Sequence, residues 1–222
     1  MNLRQIRKKI KTVNNIKKIT KAMELISSIK MKKAQQQYKE GKLYRDFLYQ
    51  MVKELAFNLD KKISPFLKEG TGTKKLYLVI SSNKGLCGNF NVAIFRKIYK
   101  KIDLKDGDFI VYGKKGAEFI NRIGGMILAD FSNYKMETVI SPVCDYLLKA
   151  FLSGQYQHVF LIYNRFISPT LYNTTIEKII PLTLNQEKME KTITTFYYLI
   201  EPSPEEILDS LIKDSIEQKI RD

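Results

Sequence analysis

The residues that come nearest to a chemical site are Ser81-Ser82-Asn83-Lys84-Gly85-Leu86-Cys87-Gly88. They follow an apolar run, Leu76 to Ile80, and precede a helical pattern. A loop between a strand and a helix is where α/β folds bind phosphate, through loop amides and the helix N-terminus. The segment is neither GxGxxG nor GxxxxGK[ST], and no lysine stands next to a Ser or Thr at the helix start. The reading of Gly85, Leu86, Cys87 and Gly88 is therefore structural: a tight turn that glycine permits. A loop cysteine near a helix start can be reactive, but Cys87 has no histidine close in sequence to act as its base.

The rest of the inventory is equally sparse. His158 is the only histidine, and Cys87 and Cys144 lie far apart. A zinc site needs about four nitrogen or sulfur ligands at set spacings. Nucleophile–base pairs need an imidazole that only one position offers. His158 reads as a residue at the start of a strand. Asp103, Asp106 and Asp108, and Glu205 with Glu206, sit at turns and at a helix start, where acids are ordinary. The expectation is no catalytic residue, no cofactor and no metal.

These residues must be carried by elements, and the pattern of elements is regular. Leu76–Ile80, Phe109–Gly113, Met126–Phe131 and Val159–Tyr163 read as short buried strands. Val92–Ile102, Lys114–Ile123 and Glu137–Leu152 read as helices between them. Strands alternating with helices predict βαβ units and a mainly parallel sheet covered by helices. Thr174–Leu182 and Thr195–Ile200 also look strand-like, the first pairing back on Val159–Arg165 around Ser168-Pro169. A last helix begins with Ser203 as N-cap, Pro204 in its first turn and Glu205 and Glu206 behind it. Ile207, Leu208, Leu211, Ile212, Ile216 and Ile220 give it an apolar stripe.

The first 60 residues are different in kind. From Asn2 to Glu40 there is neither glycine nor proline. Leu3, Ile6, Ile10, Val13, Ile16, Ile19, Met23 and Ile26 recur every three or four positions, which lines one helix face. Leu43, Phe47, Met51, Leu55 and Leu59 resume the stripe beyond Gly41. A continuous helix there is about 55 residues and about 80 Å long, against a radius of gyration of about 15 Å for the remaining globule. Such a stripe needs a partner.

Charge points to the kind of partner. The net charge of the 222 residues is +15. Through Lys62 there are 17 Lys/Arg against 5 Asp/Glu, and in the remainder 21 against 18. A basic rod on a nearly neutral globule attracts nucleic acid, an anionic membrane or acidic protein surfaces. No apolar run approaches the roughly 20 residues of a membrane span. The basic, amphipathic start MNLRQIRKKIK has no signal-peptide core, and the helical pattern runs past any transit-peptide cleavage point. The expectation is a bacterial, cytoplasmic protein.

Four segments are specific. Ile19-Thr20-Lys21-Ala22-Met23 with Lys30-Met31-Lys32-Lys33-Ala34-Gln35 resembles the N-terminal helix signature of the gamma subunit of F-type ATP synthases. Ser81–Asn91 resembles that family's GLCGG loop, with Asn89 where a second glycine is usual. Tyr163–Pro169 and Tyr198–Pro204 are similar to the family as well. The resemblance implies a central rotor stalk without ATP chemistry of its own. It implies a Rossmann-like globule, and an N-terminal helix pairing antiparallel with the C-terminal helix inside a hexamer of alpha and beta subunits. The globule would stand against the epsilon subunit and the c-ring, touching the cytoplasmic face of a bacterial membrane only through the complex. Ion flow would turn the ring and the shaft with it, driving the catalytic sites through their states. By motif, Ile19, Thr20, Lys21, Ala22 and Met23 would lie at the hexamer bearing, and Tyr198 and Glu201 at the ring-facing foot.

The implied organisation is a shaft helix over 1–62, a globule over 74–200 and the start of the C-terminal shaft helix over 204–222. In that family the C-terminal helix continues several tens of residues past the point matching Asp222 and covers the upper shaft. Within these residues Leu3 to about Ile26 is expected to lack that cover and to fray. Two alternatives stand beside this reading. A basic coiled coil in a nucleic-acid groove would not need apolar residues throughout its basic stretch. An enzyme binding phosphate at Gly85–Gly88 would bind nucleotide through the globule.

Overall fold

The computed structural model describes residues 2–58, 64–183, 201 and 203–221. The expected strand Thr195–Ile200, with Tyr198, lies outside the described residues.

The run without glycine or proline forms one helix, α1 (Leu3–Asn58), which passes through Gly41. Alternating elements follow: β1 (Lys74–Ile80), α2 (Phe90–Lys101), β2 (Gly107–Tyr112), α3 (Lys114–Arg122), β3 (Met126–Asp130), α4 (Met136–Leu152), β4 (Tyr156–Ser168), β5 (Leu171–Ile180) and α5 (Pro204–Arg221). The chain divides into two compact units, Met1–Phe47 and Leu48–Asp222.

In the second unit the five strands form one sheet in the order β3-β2-β1-β4-β5. The first four strands in that order are parallel, and β5 turns back antiparallel on β4. The predicted hairpin around Ser168-Pro169 is this β4–β5 pair, with Ile162 opposite Ile176 and Asn164 opposite Thr174.

Alternation along β1 explains why its sequence is continuously apolar. Leu76 and Leu78 face one core, with α4, α5 and the end of α1; Tyr77 and Val79 face another, with α2 and α3. A strand covered on both faces has no polar side to offer. Val52, Leu55 and Ala56 of α1 are buried with Leu208, Ile212, Ile216 and Ile220 of α5 in the first core. The stripe expected on the last helix is thus the face that it buries. Its N-cap is as read: Ser203 Oγ accepts the Glu206 N–H at 3.2 Å.

Two aromatic stacks fill the second core. Tyr77 lies between Phe109 and Phe160, at 5.5 and 5.4 Å between centroids, and Phe95 stacks on Phe119 at 4.2 Å.

Candidate functional site

The strand order reverses between β1 and β4, which places the C-terminal end of β1 at the topological switch point. Open α/β sheets bind ligands in that position. The segment Ser81–Asn89 leaves β1 there, so the sequence motif occupies the place where a site is expected.

Its polar side chains bond to one another. Asn91, buried in the first turn of α2, accepts the Ser82 N–H at 3.1 Å and donates to Ser82 Oγ at 2.7 Å and to Cys87 Sγ at 3.2 Å. Ser82 Oγ donates to the Lys84 carbonyl. The Phe90 N–H bonds the Cys87 carbonyl at 3.3 Å, closing the turn into α2. Gly88 has φ +58, a left-handed conformation that suits glycine, and Leu86 adopts φ 62. A Cβ at Gly85 or Gly88 would meet open space. Leu86 is 97% exposed at the tip.

The loop is also pinned to its neighbour on β2. Ser81 Oγ donates to the Gly113 carbonyl at 3.0 Å and accepts the Gly116 N–H at 2.8 Å. Asn83 Oδ1 accepts the Lys114 N–H at 2.9 Å. A Cβ at Gly116 would stand 2.6 Å from Ser81 Oγ, so glycine there lets the first turn of α3 come this close. On the other side, Asn164 Nδ2 donates to the Phe90 carbonyl at 2.8 Å, while its Oδ1 accepts from Thr174 Oγ1 at 2.6 Å. Two of the recognised segments, Ser81–Asn91 and Tyr163–Pro169, therefore meet at the start of α2. Sequence reading named both but not their junction. Asn91 and Asn164 make that junction; for Asn164, an asparagine inside the apolar strand run of β4 was the available signal.

Cys87 is exposed and Cys144 is buried. Burial pushes the Cys144 thiol up to about 12. His158 lies near the start of β4, where its Nε2 meets Glu69 Oε1 at 3.1 Å. Among the described residues no three of His, Cys, Asp or Glu gather as a metal could require.

The second candidate surface is the first unit. Ile19, Thr20, Lys21, Ala22 and Met23 are all exposed, Ile19 to 61% and Met23 to 49%. Thr20 turns its hydroxyl back onto the Ile16 carbonyl. Leu3, Ile10, Val13, Ile16, Ile26 and Ile29 are exposed with them. Residues 1–47 hold 14 Lys/Arg against 3 Asp/Glu. Among the described residues, none of the cations up to Glu40 forms an ion pair. Glu201, expected at the foot, is exposed just before α5; Tyr198 lies outside the described residues.

Comparison with known proteins adds the following. A family described as ATP synthase matches residues 2–222. The chain is 31% identical over 223 aligned residues to the ATP synthase gamma chain of Polaromonas naphthalenivorans (strain CJ2), covering 96% of this chain and 77% of that one. It is 33% identical to the ATP synthase gamma chain of Clostridium perfringens (strain SM101 / Type A), covering 98% and 77%. Its fold is similar to a chain in the central stalk and c-ring structure of the Tetrahymena thermophila mitochondrial ATP synthase. That match has a TM-score of 0.64 and 20% identity, and covers 91% of this chain and 89% of that chain.

Proposed function

We propose, on the premise that this chain belongs to the ATP synthase gamma family, that it works as the rotor of the enzyme's central stalk. In this reading it couples ion-driven rotation of a c-ring to ATP synthesis in a hexamer of alpha and beta subunits. The observation that carries it is the exposed first unit, a helix with an unbroken apolar stripe and basic flanks.

A rotor must bear torque and still slide. A helix without glycine or proline from Asn2 to Glu40 suits the first demand. For the second, exposed charge pairs are worth only about 0–1 kcal/mol each, so contacts with acidic loops of the beta subunits exchange stepwise. Ile19 to Met23 are read as the bearing segment, and Tyr198 and Glu201 as part of the foot near the ring and the epsilon subunit. The shaft is read as 1–62 with 204–222, and the globule as 74–200.

The chain is read as having no catalysis of its own. Supporting this, the loop at the switch point spends its polar groups on itself, through Asn91, Ser82 and Cys87. No helix among the described residues is long and apolar enough to cross a membrane. The chain is placed in this reading at the cytoplasmic face of a bacterial membrane, held through the complex. The nucleic-acid alternative has no support from the relatives.

Co-expression with alpha and beta subunits tests the reading. Recovery of a hexamer carrying one copy of this chain is expected, with loss of association when residues 2–40 are deleted. Failure of the intact chain to associate would overturn it.

A further inference from the structure

We infer that the groove between the C-terminal half of α2 and the sheet face of β1, β4 and β5 is an anion site that takes a polyphosphate group. It is separate from the loop at the switch point and stands independently of the rotor reading. The groove has a volume of about 430 Å³, within the range of about 300–1,000 Å³ usual for small-molecule sites.

Three ammonium groups line it: Lys75 from β1, and Lys97 and Lys101 from α2. The last two are four residues apart and so share a helix face. None of the residues lining the groove is acidic. Among the described residues, none of the three lysines pairs with a carboxylate. Lysines near a helix C-terminus are ordinary on their own, because they offset the helix dipole. Here the fold adds a third from another element and leaves the group without an acid.

Lys97 is also held in place. Its Nζ donates to the Thr174 carbonyl at 3.0 Å, which leaves two further N–H donors for a ligand. The stacked pair Tyr77 and Phe160 gives the groove an aromatic part of its lining. The register places a further lysine, Lys178, opposite Phe160 on the same sheet face. Glu69, bonded to His158 and Gln157, and Asp106, which bears on the Tyr77 hydroxyl, lie outside the lining. One helical turn from Lys97 to Lys101 rises about 6 Å at ~1.5 Å per residue. That span suits linked phosphoryl groups better than a single one.

The test is calorimetric titration of the full 222-residue chain at fixed ionic strength with pyrophosphate, ATP, orthophosphate and sulfate. Pyrophosphate or ATP is expected to bind at least tenfold more tightly than sulfate. Lys101→Met alone, and Lys75→Met with Lys101→Met, should weaken that binding tenfold or more with unchanged circular dichroism. Arg122→Met, at an exposed position of α3, should leave it unchanged. ATP binding more tightly than pyrophosphate would assign the source as a nucleotide; equal binding would assign it as inorganic polyphosphate. Equal affinity for sulfate, or full binding by both lysine variants, would overturn the proposal.

Discussion

Lys219 Nζ lies 2.9 Å from Glu177 Oε1, and this pair ties the last helix to the edge strand β5. The other oxygen of Glu177 accepts from Tyr163 Oη at 2.8 Å and from Arg165 Nη2 at 3.2 Å. Tyr163 and Arg165 belong to one of the segments recognised in the sequence, so that segment has a structural role in holding α5 to the hairpin. Burial opposes the Glu177 charge, but the hydrogen bonds from Lys219 and Tyr163 outweigh it and lower its pKa below 4.5.

Stability should follow that charge. Because the folded pKa is depressed, the clasp contributes fully above 4.5 and is lost as pH falls through the lowered value. Glu177→Gln is expected to cost about 1 kcal/mol at neutral pH, as for a partly exposed charged network. Urea titrations at pH 7 and at successively lower pH check this: the gap between wild type and variant should narrow as the pH falls.

The two apolar stripes should behave in opposite ways. Ile212 is fully buried against α4 and the end of α1, so Ile212→Ala should cost about 2–5 kcal/mol. Ile16 is 57% exposed, so Ile16→Ser should change the isolated chain by no more than about 0.5 kcal/mol. Denaturant midpoints measure both. Hydrogen exchange should find residues 3–26 weakly protected in the isolated chain, and strong protection in a monomer would refute the uncovered-stripe reading.

Basic residues near the bearing should set association rather than folding. Lys18→Glu with Lys21→Glu is expected to slow capture of the chain by an alpha–beta hexamer, most of all at low salt, where charge steering is strongest. The thermal midpoint of the isolated chain should not move. Stopped-flow binding at two salt concentrations separates the effects, and an unchanged rate would remove Lys21 from the bearing.

The cysteines should react at very different rates. Cys87 is exposed, whereas Cys144 is buried in the first core with its thiol pushed up to about 12. A thiol reagent should modify Cys87 in the folded chain and reach Cys144 only on unfolding. Mass spectrometry of labelled peptides reads this directly.

Asn91 should prove structural. Asn91→Ala removes the acceptor for the Ser82 N–H and the donor to Ser82 Oγ and Cys87 Sγ. A cost of about 1–3 kcal/mol is expected for a buried group left without its partner. Chemical denaturation measures it, and faster labelling of Cys87 in the variant would show the loop loosening.

Sequence alone determined most elements of this protein and its family. Helices and strands declare themselves through local periods: the stripe from Leu3 to Ile26, the apolar run Leu76–Ile80, the cap Ser203-Pro204. A motif such as Ser81–Asn91 is also local, so it can be recognised before any contact is known. Contacts between distant residues were decided only by the tertiary structure. Asn164 reaches the start of α2 because β4 lies beside β1, and Glu177 meets Lys219 because α5 packs across the sheet. Lys75 joins Lys97 and Lys101 because a strand and a helix, 22 and 26 residues apart in sequence, share one groove. Local pattern can say that a stripe will be buried or a loop will turn. Which stripe finds a partner depends on strand order and helix packing: the one on α5 is covered, and the one from Leu3 to Ile29 is exposed.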